Sequence, residues 1–195
     1  MTARVILSPC WTGTREWGWY PWLSRELTQN GVPFGFADMP NPDLPDVDTW
    51  SSALLDRIDH TAIQETILVG HSLGCINILN AIAQLPPNKP HFKAVVFIAP
   101  FTHPLGVTAV DTFFTLSVAA NLSKLPARYT WVIASDNDPY IPDTWANLER
   151  LNKGSKANTL VLHGRAHFSA ASGCTELPEL STLIQSILEC DDEYI

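Results

Sequence analysis

Short apolar, β-branched runs alternate with longer stretches of helical periodicity along this 195-residue chain. The runs near 4–8, 33–37, 65–70, 94–99, 130–135 and 159–163 read as strands, being short, apolar and, except for the Phe34-Gly35-Phe36 run, β-branched. Between them, the segments near 17–30, 48–63, 73–85, 110–122, 142–153 and 177–190 repeat apolar side chains at the spacing of a helix face. Thr66-Ile67-Leu68-Val69 reads as a buried strand, and Cys75 to Leu85 as a helix halted by Pro86-Pro87. Strands and helices in strict alternation predict a parallel sheet with helices on both faces, a three-layer α/β sandwich. At this length one domain, residues 1–195, is expected to hold its own core.

Between that third strand and its helix stands Gly70-His71-Ser72-Leu73-Gly74. A G-x-S-x-G pentad is common by chance, but strand, pentad, helix is the setting in which a serine sits on a strained turn with its hydroxyl exposed above the sheet. A Cβ two residues before or after Ser72 would crowd the neighbouring elements, and the helix start places partial positive charge near an oxyanion. Ser72 is therefore the candidate nucleophile. A serine needs a base, and the base an orienting acid. In this architecture both follow the serine, on loops after later strands, acid before histidine. Ser135-Asp136-Asn137-Asp138-Pro139 leaves the fifth strand and His163-Gly164-Arg165-Ala166-His167 leaves the sixth. Both loops fall at the C-terminal ends of strands, where open α/β sheets bind ligands.

Asp136 and Asp138 are rivals in one loop, and either also suits a cap or turn. Asp111, after the fourth strand, is a fallback acid. His163 abuts its strand and reads as a satisfied, partly buried histidine; His167, out on the loop, is the favoured base. Their H-x3-H spacing, interrupted by Gly164 and without an H-E-x-x-H pattern, does not point to a metal. An oxyanion hole takes one N–H from the residue after the serine, Leu73, and one from the first loop. Pro9 has no N–H, which leaves Cys10 or Trp11. Trp11, Trp17, Trp19 and Trp22 read as core beneath one helix or as an apolar wall for an acyl group. Cys10 and Cys75 flank the site, but Ser72 holds the turn. His71 reads as packing or hydrogen-bonding; His60, His91 and His103 as surface or loop residues.

Taken together, G-W-Y-x-W-L-x-x-E-L at residues 18–27, M-P-x-P at 39–42, G-H-S-x-G at 70–74, S-D-x-D-P-[FY]-x-P at 135–142 and the His167-Phe168 pair resemble a small α/β-hydrolase family. It is the group similar to retinoblastoma-binding protein nine and the bacterial YdeN-like proteins, and the likeness spans nearly the whole chain. It implies a serine hydrolase with Ser72 as nucleophile, Asp138 as acid and His167 as base, and a minimal sheet ordered 2-1-3-4-5-6. The D-x-x-I-P run from Asp138 to Pro142 is similar to the acid loop of α/β-hydrolases and favours Asp138. Two departures matter. The family's first loop is glycine-rich, whereas this one opens Pro9-Cys10-Trp11. No L-x-C-x-E motif occurs, since Ser172 stands where the leucine before Cys174-Thr175-Glu176 would be, so a retinoblastoma partner is not carried over.

Composition narrows the picture further. No apolar run approaches the length of a membrane span, and Met1-Thr2-Ala3-Arg4 leads directly into the first strand, so no signal peptide is expected. Cys10, Cys75, Cys174 and Cys190 follow no framework spacing, which fits reduced thiols and a cytoplasmic location. A net charge of −8 argues against nucleic-acid and anionic-membrane partners. Part of it lies in Glu189, Asp191, Asp192 and Glu193, read as a solvated tail. The expectation is a cofactor-independent serine hydrolase of esters or related small acyl compounds, its helix at 111–122 partly covering the site. The alternative is a binding or regulatory protein on the same fold.

Overall fold

A computed structural model describes residues 3–86, 91–115, 118–153 and 155–190. Six strands, β1 (Arg4–Ser8), β2 (Phe34–Phe36), β3 (Thr66–His71), β4 (Phe92–Ile98), β5 (Ala127–Ser135) and β6 (Asn158–Leu162), form one sheet. Its order is β2-β1-β3-β4-β5-β6, and every pairing is parallel. Successive strand residues point to opposite faces. Val5, Leu7, Ile67, Val69, Val96 and Ile98 meet α1 (Tyr20–Gln29) and α7 (Pro178–Glu189) on one side. On the other side Ile6, Leu68, Val95, Phe97 and Val132 meet α2 (Val47–Leu55), α3 (Leu73–Ala83), α5 (Val118–Leu122) and α6 (Thr144–Asn152). A parallel sheet covered on both faces explains why β3 and β4 are almost continuously apolar.

Two helices differ from the periodicity. The helix expected over 48–63 is capped by Asp46, whose carboxylate accepts from the Thr49 N–H, and it stops at Leu55. Beyond it, the Asp59 carboxylate accepts from the N–H and hydroxyl of Thr61, offering the backbone a turn in place of the helix. The helix expected over 110–122 is instead α4 (Thr108–Asp111) and α5, with 116–117 outside the described residues. Asn80 of α3 interrupts it: its amide donates to the Phe113 carbonyl and its oxygen accepts from the Thr115 hydroxyl. Pro142 precedes α6 and does not open it; Asp143 is the cap, accepting from the Ala146 N–H. Of the acidic tail, Glu189 ends α7, while Asp191, Asp192 and Glu193 lie outside the described residues.

Candidate active site

Ser72 sits between β3 and α3 with φ 53° and ψ −116°, a backbone conformation costly for a residue with a side chain. Close packing on both sides permits the turn. A Cβ on Gly74 would lie 2.1 Å from the Ser8 carbonyl oxygen and 2.6 Å from that of Pro9. One on Gly70 would come within 2.9 Å of the Cys75 backbone. The Ser72 N–H donates to the Ile98 carbonyl at 2.8 Å, tying the turn to β4.

Three sequence candidates come together around it. The Ser72 Oγ lies 2.8 Å from His167 Nε2, and His167 Nδ1 lies 2.6 Å from Asp138 Oδ2. Asp138 is buried, and its other oxygen accepts from the Tyr140 N–H at 2.9 Å. The Tyr140 ring stands edge-on to His167 at 4.8 Å between centroids. Ser72 and His167 retain 8% and 9% of their surface, enough to face the cleft while most bulk water is excluded.

The other candidates lie elsewhere. Asp136 holds His163, with Oδ2 2.5 Å from Nδ1, and accepts from the Gly164 N–H. This pair lowers Asp136 below the usual carboxylate range, first through the Gly164 N–H and then through His163, and raises His163. His163, expected to be partly buried, is exposed. Asp111 accepts from the N–H groups of Leu105 and Gly106 and so braces a turn. His60, His91 and His103 are exposed.

Two residues the sequence reading passed over support the histidine loop. Ser135 Oγ accepts from the Arg165 N–H, and Asn137 Oδ1 accepts from the Ala166 N–H and the Ser135 hydroxyl. Each residue from 135 to 138 thus touches the loop that carries His167. Only the S-D-N-D run itself hinted at this.

The oxyanion candidates separate by what their N–H groups already do. The Cys10 N–H donates to the Tyr20 hydroxyl at 3.0 Å and is committed. Among the described residues, no protein group accepts from the N–H of Trp11 or of Leu73. Cys10 and Cys75 are poor rivals to the serine: burial pushes the Cys10 thiol up to about 12 and the Cys75 thiol higher still.

A cleft of about 270 Å³ opens beside Ser72 and His167. Trp11, Trp17, Phe101, Leu105, Val107 and Val110 give it a largely apolar wall. The tryptophans divide: Trp19 is core, Trp22 packs against it, and Trp11 and Trp17 line the cleft. The covering segment is 101–110, not the helix expected at 111–122, because α5 turns away to pack against α3 and α6. Asn147 anchors the wall's start, its amide donating to the Pro100 carbonyl and its oxygen accepting from the Thr102 N–H.

A parallel sheet of this order, with a serine on the turn after its third strand, defines an α/β-hydrolase. The chain belongs to the serine hydrolase family, whose pattern matches residues 5–186, and it is a hydrolase of that kind. It is 29% identical to YdeN of Bacillus subtilis (strain 168) over 95% of this chain and 96% of that one. The crystal structure of the B. subtilis ydeN gene product superposes with a TM-score of 0.85 at 26% identity, covering 95% and 98% of the two chains. Est1E from Butyrivibrio proteoclasticus shares the fold, with a TM-score of 0.69 at 17% identity over 96% and 86%.

Proposed function

We propose that this hydrolase cleaves esters or related acyl compounds through a covalent acyl-serine. The observation that carries this is the unbroken hydrogen-bonded line from Ser72 through His167 to Asp138, facing an apolar cleft. His167 takes the Ser72 proton as Oγ attacks the carbonyl carbon, while Asp138 holds the imidazole in the required tautomer. The oxyanion rests on the N–H groups of Leu73 and Trp11. His167 then protonates the leaving group, and water, deprotonated by His167, releases the acyl group from Ser72. Among the described residues that line the cleft none is a lysine or arginine, so it suits an uncharged, apolar group on the substrate.

Turnover of p-nitrophenyl butyrate tests the reading. Ser72→Ala or His167→Ala should each reduce kcat on the order of 10⁴-fold or more, since the three groups act as a unit. A folded wild type with no more turnover than Ser72→Ala would instead support a binding protein.

A further inference from the structure

The backbone carrying His167 is strained on both sides. Ala166 has φ 45° and Phe168 φ 54°, left-handed conformations that residues with side chains hold only when their surroundings impose them. The imposing contacts come from the start of α1 and from the residue before Ser72. Trp19 Nε1 donates to the Phe168 carbonyl at 3.1 Å, and His71 Nε2 lies 3.0 Å from the His167 carbonyl. On its other side His71 Nδ1 meets the Tyr20 hydroxyl at 2.8 Å, and that hydroxyl meets the Cys10 N–H at 3.0 Å.

The ends of this chain fix its direction. An amide N–H only donates, so Tyr20 Oη accepts from Cys10 and its O–H is left to donate to His71 Nδ1. A neutral imidazole has one N–H, which must then sit on Nε2 and donate to the His167 carbonyl, a group that only accepts. The opposite tautomer would set a lone pair against that carbonyl. Complete burial keeps His71 neutral, its basicity pushed down to about 3, with the nearby His167 a smaller contribution in the same direction. Burial likewise keeps the Tyr20 hydroxyl protonated. Trp17 and Trp19 pack on the His71 ring at 5.3 Å and 5.6 Å between centroids.

We propose that Tyr20 and His71 are positioning residues, joining the first loop to the His167 backbone through one polarised hydrogen-bond chain. The proposal rests on the acyl-serine reading above. Its effect is double. Tyr20 commits the Cys10 N–H and thereby leaves the adjacent Trp11 N–H as the first-loop donor to the oxyanion. His71 holds the His167 backbone in the strained form that brings Nε2 to Ser72. Because these groups stay clear of substrate, breaking the chain should damage the chemical step and spare binding.

The test combines kinetics on p-nitrophenyl butyrate, fluorophosphonate labelling and the ¹⁵N resonances of His71. Tyr20→Phe keeps the ring and removes both hydrogen bonds of the hydroxyl. His71→Asn cuts the contact to His167. Each should lower kcat about 10- to 100-fold with KM held within about twofold, in a protein whose circular dichroism is unchanged. The double variant should be slower than either single one but by less than the product of their effects, since the two residues share the Tyr20–His71 hydrogen bond. In the wild type, His71 should show the Nε2–H tautomer between about pH 5 and 9, an observation that stands even if a variant fails to fold. Wild-type rates in folded Tyr20→Phe, effects of the two changes that multiply, or a proton on Nδ1 would overturn the positioning role while leaving the acyl-serine reading intact. A folded wild type that neither labels nor turns over would remove that reading itself.

Discussion

Asp136 and Asp138 stand two residues apart, and each holds a different histidine. Asp138 is buried and carries the histidine that touches Ser72; Asp136 pairs with an exposed one. Asp138→Asn is therefore expected to keep the fold and KM but lower kcat about 10⁴-fold, because an amide can donate to Nδ1 and enforce the wrong tautomer. Asp136→Asn should cost under about 10-fold, since it weakens a brace one step removed from His167, and Asp111→Asn should be near neutral. Rates of all three on one activated ester, beside thermal melts, check the ranking; Asp136→Asn as the crippled variant would reverse the assignment. The turn that carries Ser72 was legible in the sequence because its flanks specify it. The two aspartates were not separable by residue type or spacing, and only the likeness of the Asp138 loop to other hydrolases favoured one. Which of the Cys10 and Trp11 N–H groups already has an acceptor was closed to sequence, because it depends on a hydroxyl ten residues beyond Cys10.

At the scale of elements, apolar periodicity reports burial more faithfully than continuity. Ile58, Ala62 and Ile63 are buried as their helical spacing requires, yet they lie beyond the end of α2. Past the end of α2 the Asp59 side chain takes the Thr61 N–H, a local competition for the backbone that a hydrophobic pattern does not register. The segment after β4 shows the same effect over a longer distance, since the competing group, Asn80, sits on another helix. The consequence reaches the site: with its helix broken in two, the segment lays residues 101–110 along the cleft and returns α5 to the core. The strands were more legible. Parallel pairing buries both faces, so each left a compact apolar run, and the likeness to α/β-hydrolases then implied the sheet order that is observed.

For the molecule as a whole, a neutral histidine sealed in the core makes the fold sensitive to acid. His71 is pushed from its ordinary 6.5 to about 3, so between those values the unfolded chain binds a proton that the folded one refuses. Stability should fall as pH drops below 6.5, by about 1.4 kcal/mol per unit once the unfolded histidine is fully charged. His163 acts in the opposite sense: raised by Asp136, it adds stability below its ordinary 6.5 and loses it as pH rises through the raised value. Its exposure makes that contribution the smaller one. Urea unfolding from about pH 4 to 8 should show the wild type losing stability in acid more steeply than a folded His71→Asn variant. Equal slopes would mean that His71 takes up its proton without unfolding the core.

Whether Ser72 is an activated nucleophile facing an acyl cleft is decided by reaction with a fluorophosphonate and mass mapping of the adduct. Such a probe reports serine activation without requiring the natural substrate. One phosphonyl group per chain is expected, carried on the peptide containing Ser72, with no adduct in Ser72→Ala and far slower labelling in His167→Ala. A folded wild type that stays unmodified, or one modified at a different residue with Ser72 intact, would contradict it.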